Sequence, residues 1–454
     1  MFKKFVLSSL CLSVLVACGG GSSDSSNMPV DDATSTPPST EKVVTVIDGY
    51  LSDASVCGIE SGSTQCLELG TTNEQGQVFI SGDFEGRLVA TIKGGNTKDT
   101  DRVGFVPRSY QMIADIIGEE DAVITPFTML DSLNEEKTLE DLSSYLNLPL
   151  SVLEGDYIAS DAAESAHVHA LARAVTGLFS NEYQDNDIEH LFAVTKNVNN
   201  YITTELVNIG VDLNSVNILA DENEISHKDR VKSLRSYLEQ GTLNISSMNA
   251  PFFAREGVRE ITFGGGTFTL NGYTGNYTID GDELTTTANG ESETDVFLYM
   301  SSSLSLSVPV NEKDLTIISP IQLGKHQALF PTDKPASWEI SGLAGKTRYL
   351  IFDDARISDS GAQPAFVKLE FGDDTVTLTE AGESKTVPWK MDLADGFSKS
   401  VFEITLEERV LQFSEILFDG NIAVLSSNRS ITPPTLMLND EALAKSIYNK
   451  WKSI

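Results

Sequence analysis

Two histidines, His167 and His169, come closest in this chain to a metal-binding pattern, and their spacing argues against one. Residues two apart on a helix point about 200° apart around its axis, so the two rings cannot face one ion. His190, His227 and His326 stand alone. Gly342-Leu343-Ala344-Gly345-Lys346-Thr347 resembles a phosphate loop only at its Gly-Lys-Thr end. That motif needs a glycine where Ile340 stands, and a helix where Tyr349 to Phe352 reads as a strand. The glycines of Phe263-Gly264-Gly265-Gly266-Thr267 likewise precede no helix. There is no Gly-x-Ser-x-Gly elbow and no His-Glu-x-x-His. Carboxylate pairs occur at Asp353-Asp354, Asp373-Asp374 and Glu407-Glu408, but neighbours on a strand face opposite ways. No catalytic residue, metal ligand or cofactor site can be named.

The cysteines say more. Cys11 and Cys18 lie in an N-terminal segment with Lys3 and Lys4 ahead of the apolar run Phe5 to Val16, the pattern of an export signal. Its last four residues, Leu15-Val16-Ala17-Cys18, resemble the lipobox of bacterial lipoproteins. The resemblance implies cleavage before Cys18 and acyl chains, palmitate among them, on its thiol and amine. Several chains, at about 0.8 kcal/mol per buried methylene, hold a protein on a bilayer far more firmly than one. Gly19 after the cysteine, rather than an Asp, resembles lipoproteins sorted to the outer membrane. Residues 1–17 are then the signal peptide, and 18–42 a lipidated tether rich in Gly, Ser, Thr and Pro that cannot order itself. Cys57 and Cys66 remain as an even pair in an oxidising compartment, where a disulfide is the default.

Composition excludes one class of partner. With 32 basic and 66 acidic side chains the formal charge is −34, and loss of Lys3 and Lys4 with the signal lowers it by two more. Nucleic acid needs clustered Lys and Arg, and such a body stands off anionic headgroups as well. At 454 residues the chain has room for two to four domains.

Residues 43–110 read as a small β domain. Val43 to Ile47 is a β-branched strand, Asp48-Gly49 a turn, and Ala54 to Cys57, Val78 to Ile80 and Leu88 to Ile92 further strands. The run Val46 to Leu51, Ala54 to Cys57, Cys66 and Thr72 to Phe79 resembles modules of bacterial surface proteins. Those are the carboxypeptidase-regulatory-like and collagen-adhesin B-type β-sandwiches. The stretch Gly58 to Gln65 holds one carboxylate, too few for the calcium loop often found there.

Residues 111–250 change to a helical period. Thr138 opens one helix, with Leu142, Tyr145 and Leu146 on a face, and Asp161 is expected to cap a second carrying Val168, Leu171, Val175 and Phe179. A third runs from Asp187 through Leu191 and Val198, and a fourth carries Val231, Leu234, Tyr237 and Leu238, which together predict a central helical bundle.

From 251 to 432 the period is two, with turn signals at Asn271-Gly272, Asp280-Gly281, Asp395-Gly396 and Asp419-Gly420. This predicts an antiparallel β-sandwich or barrel. All three tryptophans, Trp338, Trp389 and Trp451, lie in this region or the segment after it. Trp389 alternates with Val387 and Met391 and is expected to face the interior, as core filler or as a ligand contact. Residues 433–454 predict a helix with Leu443, Ile447 and Trp451 on one face.

The fold expected is thus multi-domain, α and β. The function expected is binding or scaffolding at the bacterial cell envelope, membrane-anchored at Cys18, with an envelope protein or glycan as ligand and no nucleic acid. An envelope hydrolase, carbohydrate-active, and a lipocalin-like carrier of an apolar ligand are the alternatives. A cavity in 251–432 would favour the carrier, a solid core the scaffold.

Overall fold

β-branched and alternating apolar residues build the N-terminal strands, and a computed structural model shows how they are laid. It describes residues 41–454 except 117, 119, 135–137, 221–223, 248–258, 322–342, 356–360, 394–399, 407–408 and 428–434. Cys18 and the tether as far as residue 40, His326, Trp338, Ile340, Asp395-Gly396 and Glu407-Glu408 lie outside the described residues, while Glu41 and Lys42, read as the end of the tether, open the first strand.

The first strands are β1 (Glu41–Val46), β2 (Leu51–Ser52), β3 (Ser55–Glu60), β4 (Leu67–Thr71), β5 (Gln77–Ser81), β6 (Gly86–Ile92), β7 (Lys98–Asp99), β8 (Tyr110–Ile116) and β9 (Ala122–Ile124). They form a β5-β1-β9 sheet, a β4-β3-β6-β8 sheet and a short β2-β7 pair. Strands β8 and β9 carry the sheets past position 110.

Five helices follow: α1 (Pro126–Leu133), α2 (Leu139–Leu146), α3 (Leu150–Leu153), α4 (Ser165–Thr176) and α5 (Ile188–Tyr201). Thr125 caps α1 through the amides of Phe127 and Thr128, and Pro126 sits where its missing N–H costs nothing. Thr138 with Asp141 closes a capping box on α2, and Asp187 caps α5. The helices do not close a bundle of their own. Their apolar faces share one continuous core with the sheets, running from Val44 through Met112, Leu171 and Val198 to Ile218. An apolar helical stripe needs only an apolar surface, and a neighbouring sheet serves as well as another helix. Two strands, β10 (Val216–Ala220) and β11 (Ile225–Asp229), also fall inside the stretch read as helical.

The fourth expected helix is α6 (Leu234–Leu238), and it belongs to what comes next. Strands β12 (Thr242–Ser247), β13 (Arg259–Gly264), β14 (Thr267–Leu270), β15 (Tyr273–Asp280), β16 (Glu283–Ala288), β17 (Glu291–Met300), β18 (Ser305–Pro309) and β19 (Thr316–Ser319) close an antiparallel barrel, β19 pairing with β12. Leu234, Tyr237 and Leu238 of α6 join its core, and the Tyr237 hydroxyl donates to Ile318 O at 2.6 Å.

A second closed barrel comprises β20 (Thr347–Asp353), β21 (Pro364–Phe371), β22 (Thr375–Glu380), β23 (Glu383–Leu393), β24 (Ser400–Leu406), β25 (Arg409–Phe418), β26 (Ile422–Ser427) and β27 (Thr435–Leu438). The region read as one sandwich or barrel is therefore two barrels, and they repeat each other in phase. The sixth strand of each carries an irregularity, at Phe297/Tyr299 in β17 and Glu415/Leu417 in β25. Pairs Ala288↔Glu291 and Leu406↔Arg409, and Met300↔Ser305 and Phe418↔Ala423, recur at the same sequence offset as those irregularities. The repeat extends to packing. Leu304, Leu306 and Tyr299 of one barrel and their counterparts Ile422, Val424 and Leu417 of the other meet in one apolar cluster.

The last helix, α7 (Glu441–Ser453), completes that cluster with Leu443, Ala444, Ile447 and Trp451. Asp440 caps it, Oδ1 accepting from Leu443 N at 2.7 Å, while Oδ2 accepts from Ser109 N, also at 2.7 Å. Ser446 donates to Gly95 O and Trp451 Nε1 to Lys313 O, each at 2.7 Å, and Lys450 donates to Phe297 O at 2.8 Å. Gly95 has φ +71°, and a Cβ there would come within 2.5 Å of Ser446, so conformation and contact both demand glycine. One helix thus holds the sheet domain and both barrels.

Asp440→Ala removes a cap and leaves the half-buried Ser109 amide without its acceptor. The expected loss is about 2–4 kcal/mol, read from the urea midpoint at unchanged slope.

Candidate functional site

Charged side chains sit where the Asp48-Gly49 turn, the loop after β7 and one face of α4 converge. Gly49 is required there, because a Cβ would lie 2.0 Å from Asp99 Oδ1. Asp99 accepts from Asp101 N at 2.8 Å and from Arg102 Nε at 2.7 Å, which shapes the loop. From α4, His169, Arg173 and Thr176 project at i, i+4 and i+7, one face of a helix. His169 Nε2 lies 2.5 Å from Asp101 Oδ2, Arg173 Nη1 3.4 Å from the same oxygen, and Arg230 Nη2 2.9 Å from Oδ1. Arg173 and Arg230 also donate to the carbonyls of Leu213 and Asn214. Thr176 donates to Asp48 Oδ2 at 2.8 Å.

Burial disfavours the charged carboxylate of Asp101, but the close approach of His169 and the guanidiniums of Arg173 and Arg230 overcome it. Its pKa lies well below the usual carboxylate range. Asp48 shows the opposite balance. Complete burial, reinforced by the Asp99 charge, outweighs Arg102 and Thr176 and raises it to about 6. Burial also lowers Arg173 and raises Tyr157. Tyr157 donates to Ile47 O at 3.2 Å, and its ring lies 5.5 Å from that of His169.

A hollow of ≈ 240 Å³ opens beside this network, at the N-terminal end of α4. Tyr157, Asp161, Ser165, Ala166, His169 and Asn214 line it. Asp161 does not cap α4: the helix begins at Ser165 after Glu164, which gives the first turn no side-chain hydrogen bond.

The other singled-out residues are placed elsewhere. His167 turns to α5 and meets Asn199 Oδ1 at 2.8 Å, so the two histidines face different elements. His227 pairs with the Tyr201 hydroxyl at 2.7 Å. Gly345-Lys346 is a turn leading straight into β20, with no helix after it. Among the described residues no group of three or more His, Cys, Asp or Glu side chains could hold a metal ion. Cys57 and Cys66 are disulfide-bonded, with Cα atoms 5.5 Å apart, joining β3 to the segment that leads into edge strand β4.

Trp389 lies inside the second barrel, 7% exposed, its indole N–H donating to Gly372 O at 3.0 Å. Phe371 meets it edge-on at 4.9 Å and also contacts Phe402, which stacks on Phe413 at 4.9 Å. Every strand of this barrel adds an apolar side chain to the same cluster.

Sequence reading missed Asp48, Asp99, Asp101, Arg102, Arg173 and Arg230 as a group. One signal was present. Arg173 interrupts the apolar run Ala170 to Val175, four residues from His169 on the buried stripe. No protein-family model matches the chain, and neither a curated protein nor a solved structure shows significant similarity to it.

Folded Asp48 keeps its proton to about pH 6, whereas the unfolded chain releases it near 3.8. Its stabilising contribution is therefore complete below the lower value and lost as pH rises through the higher. Urea unfolding should show this as a fall of up to about 3 kcal/mol between pH 4 and 7, superimposed on other groups, and Asp48→Asn should flatten that slope. Trp389→Ala should cost about 3–5 kcal/mol in the same assay, as removal of a packed aromatic.

Proposed function

We propose that this chain is a lipid-anchored protein of the bacterial cell envelope with a binding or scaffolding role. The anchor is Cys18, on the strength of Leu15-Val16-Ala17-Cys18 and the Gly/Ser tether behind it. Gly19 supports placement at the outer membrane. The N-terminal sheets, with their Cys57–Cys66 bridge, support kinship with the carboxypeptidase-regulatory-like and collagen-adhesin B-type modules.

The observation that favours a scaffold over a carrier is the packing of the second barrel. Among the described residues, Phe371, Trp389, Phe402 and Phe413 fill its centre in mutual contact, where a carrier needs space. The apolar outer faces of both barrels are spent on each other and on α7, which gives a stiff frame for display.

Cys18→Ala is expected to move the protein from the membrane to the soluble fraction. Intact mass of the mature chain should show diacylglycerol and a further acyl chain on Cys18 in the parent and none in the variant. An unmodified mature N-terminus at another residue would overturn the anchor.

A further inference from the structure

The first barrel is not filled as the second is. The two share strand register, so their inner faces can be compared position by position. The stacked pair Phe402 and Phe413 of the second barrel corresponds to Leu284 and Asp295 of the first. Likewise Leu411 corresponds to Glu293, and Leu425 to Ser307. Ser307 is fully buried and points inward, because Leu306 and Val308 on either side of it face the other barrel. Its hydroxyl donates to Asp295 Oδ1 at 3.4 Å. Phe263 and Tyr277 fill the end of the barrel beside α6, where the Tyr277 hydroxyl donates to Glu239. The polar side chains gather toward the other end, where β13 starts with Arg259.

Thr316 lies beside Ser307 on β19 and shares the inner face with Ile318. It is 5% exposed, yet its hydroxyl has no protein partner and is not sealed off from a probe. A nearly buried hydroxyl left unpaired inside a barrel is a place where a bound group recovers a hydrogen bond.

Charge narrows the occupant. Burial, then the charge of Glu293, with a smaller push from Glu312, raise Asp295 to about 7 against the hydrogen bond from Ser307. Burial and Glu312 also raise Glu293, and Arg259 offsets only part of this. A cation would relieve both carboxylates. Among the described residues no group could hold a metal ion, which leaves an organic cation. A primary ammonium has three N–H donors and no acceptor, and Asp295, Ser307 and Thr316 present three acceptors. Glu293 and Glu312 are exposed at the rim and suit a second positive group. A chain of formal charge −34 also draws cations toward it.

We infer that the first barrel binds a short linear diamine, one ammonium among Asp295, Ser307 and Thr316 and the other at Glu293 and Glu312. This goes beyond the scaffolding role, which rests on Cys18 and on the second barrel. Failure of the anchor experiment would leave it standing, and its own failure would leave the anchor standing.

The test is isothermal titration calorimetry of the full-length protein in detergent, with butane-1,4-diamine as probe and butane-1,4-diol as the uncharged control. One saturable site is expected for the diamine and none for the diol. Affinity should fall about tenfold from pH 8 to pH 6, because at the lower pH Asp295 must release its proton for the ammonium to bind. The heat at pH 6 should then vary with the ionisation enthalpy of the buffer. Asp295→Asn should weaken the diamine at least about tenfold at pH 8 and remove the pH dependence, and Thr316→Val should weaken it about threefold. Both changes keep the size of the side chain, and unchanged thermal midpoints at pH 6 would verify the fold. No saturable heat with the diamine overturns the proposal. So does diamine binding that Asp295→Asn leaves unchanged, which is general attraction to an acidic surface.

Discussion

The carboxylate of Asp440 joins parts of the chain that are far apart in sequence. One oxygen starts α7 and the other takes the Ser109 amide of the sheet domain. Asp440 is itself buried, and its bond to Leu443 N forms away from competing water, while the bond to Ser109 N is half-buried. From that fixed start α7 can lay Leu443, Ile447 and Trp451 against both barrels at once. The apolar outer face of β17 to β19 would otherwise be open to water, which barrels rarely tolerate on this scale. The arrangement of sheets, helices and barrels as one compact unit rests on this junction.

The second constraint is internal to the sheet domain. Helix α4 carries apolar residues into the shared core, but it also carries His169, Arg173 and Thr176. Burying those groups is costly unless each finds a partner, and their partners lie on the Asp48-Gly49 turn and the Asp99 to Arg102 loop. The network therefore fixes how α4 sits, even where its contribution to stability is small. The first turn of α4, which no side chain caps, opens on the hollow beside this network.

Much of the local structure was legible in the sequence. Thr138 and Asp187 announced helix starts because their side chains cap amides within three residues. The two-residue period after 251 announced strands with one buried face, and the alternation of Val387, Trp389 and Met391 announced the inward direction of Trp389. Leu443, Ile447 and Trp451 announced the last helix. What period alone could not say is what each apolar face packs against. The stripe of α4 meets a sheet, and Leu304, Leu306 and Val308 face outward onto a second barrel. The duplication escaped notice because equivalent positions share burial and register, not residue type, as Tyr299 and Leu417 show. The charge network escaped for a similar reason. Asp48, Asp101, His169 and Arg230 are distant in sequence, and only the fold brings them together.

Amide hydrogen exchange across α7 tests this account most directly. If α7 is the junction of three parts, the amides of Leu443 to Trp451 should open only with the barrels and exchange as slowly as those of Ile351 and Val424. Exchange at the rate of a freely fraying terminal helix, while the barrel amides stay protected, would contradict it.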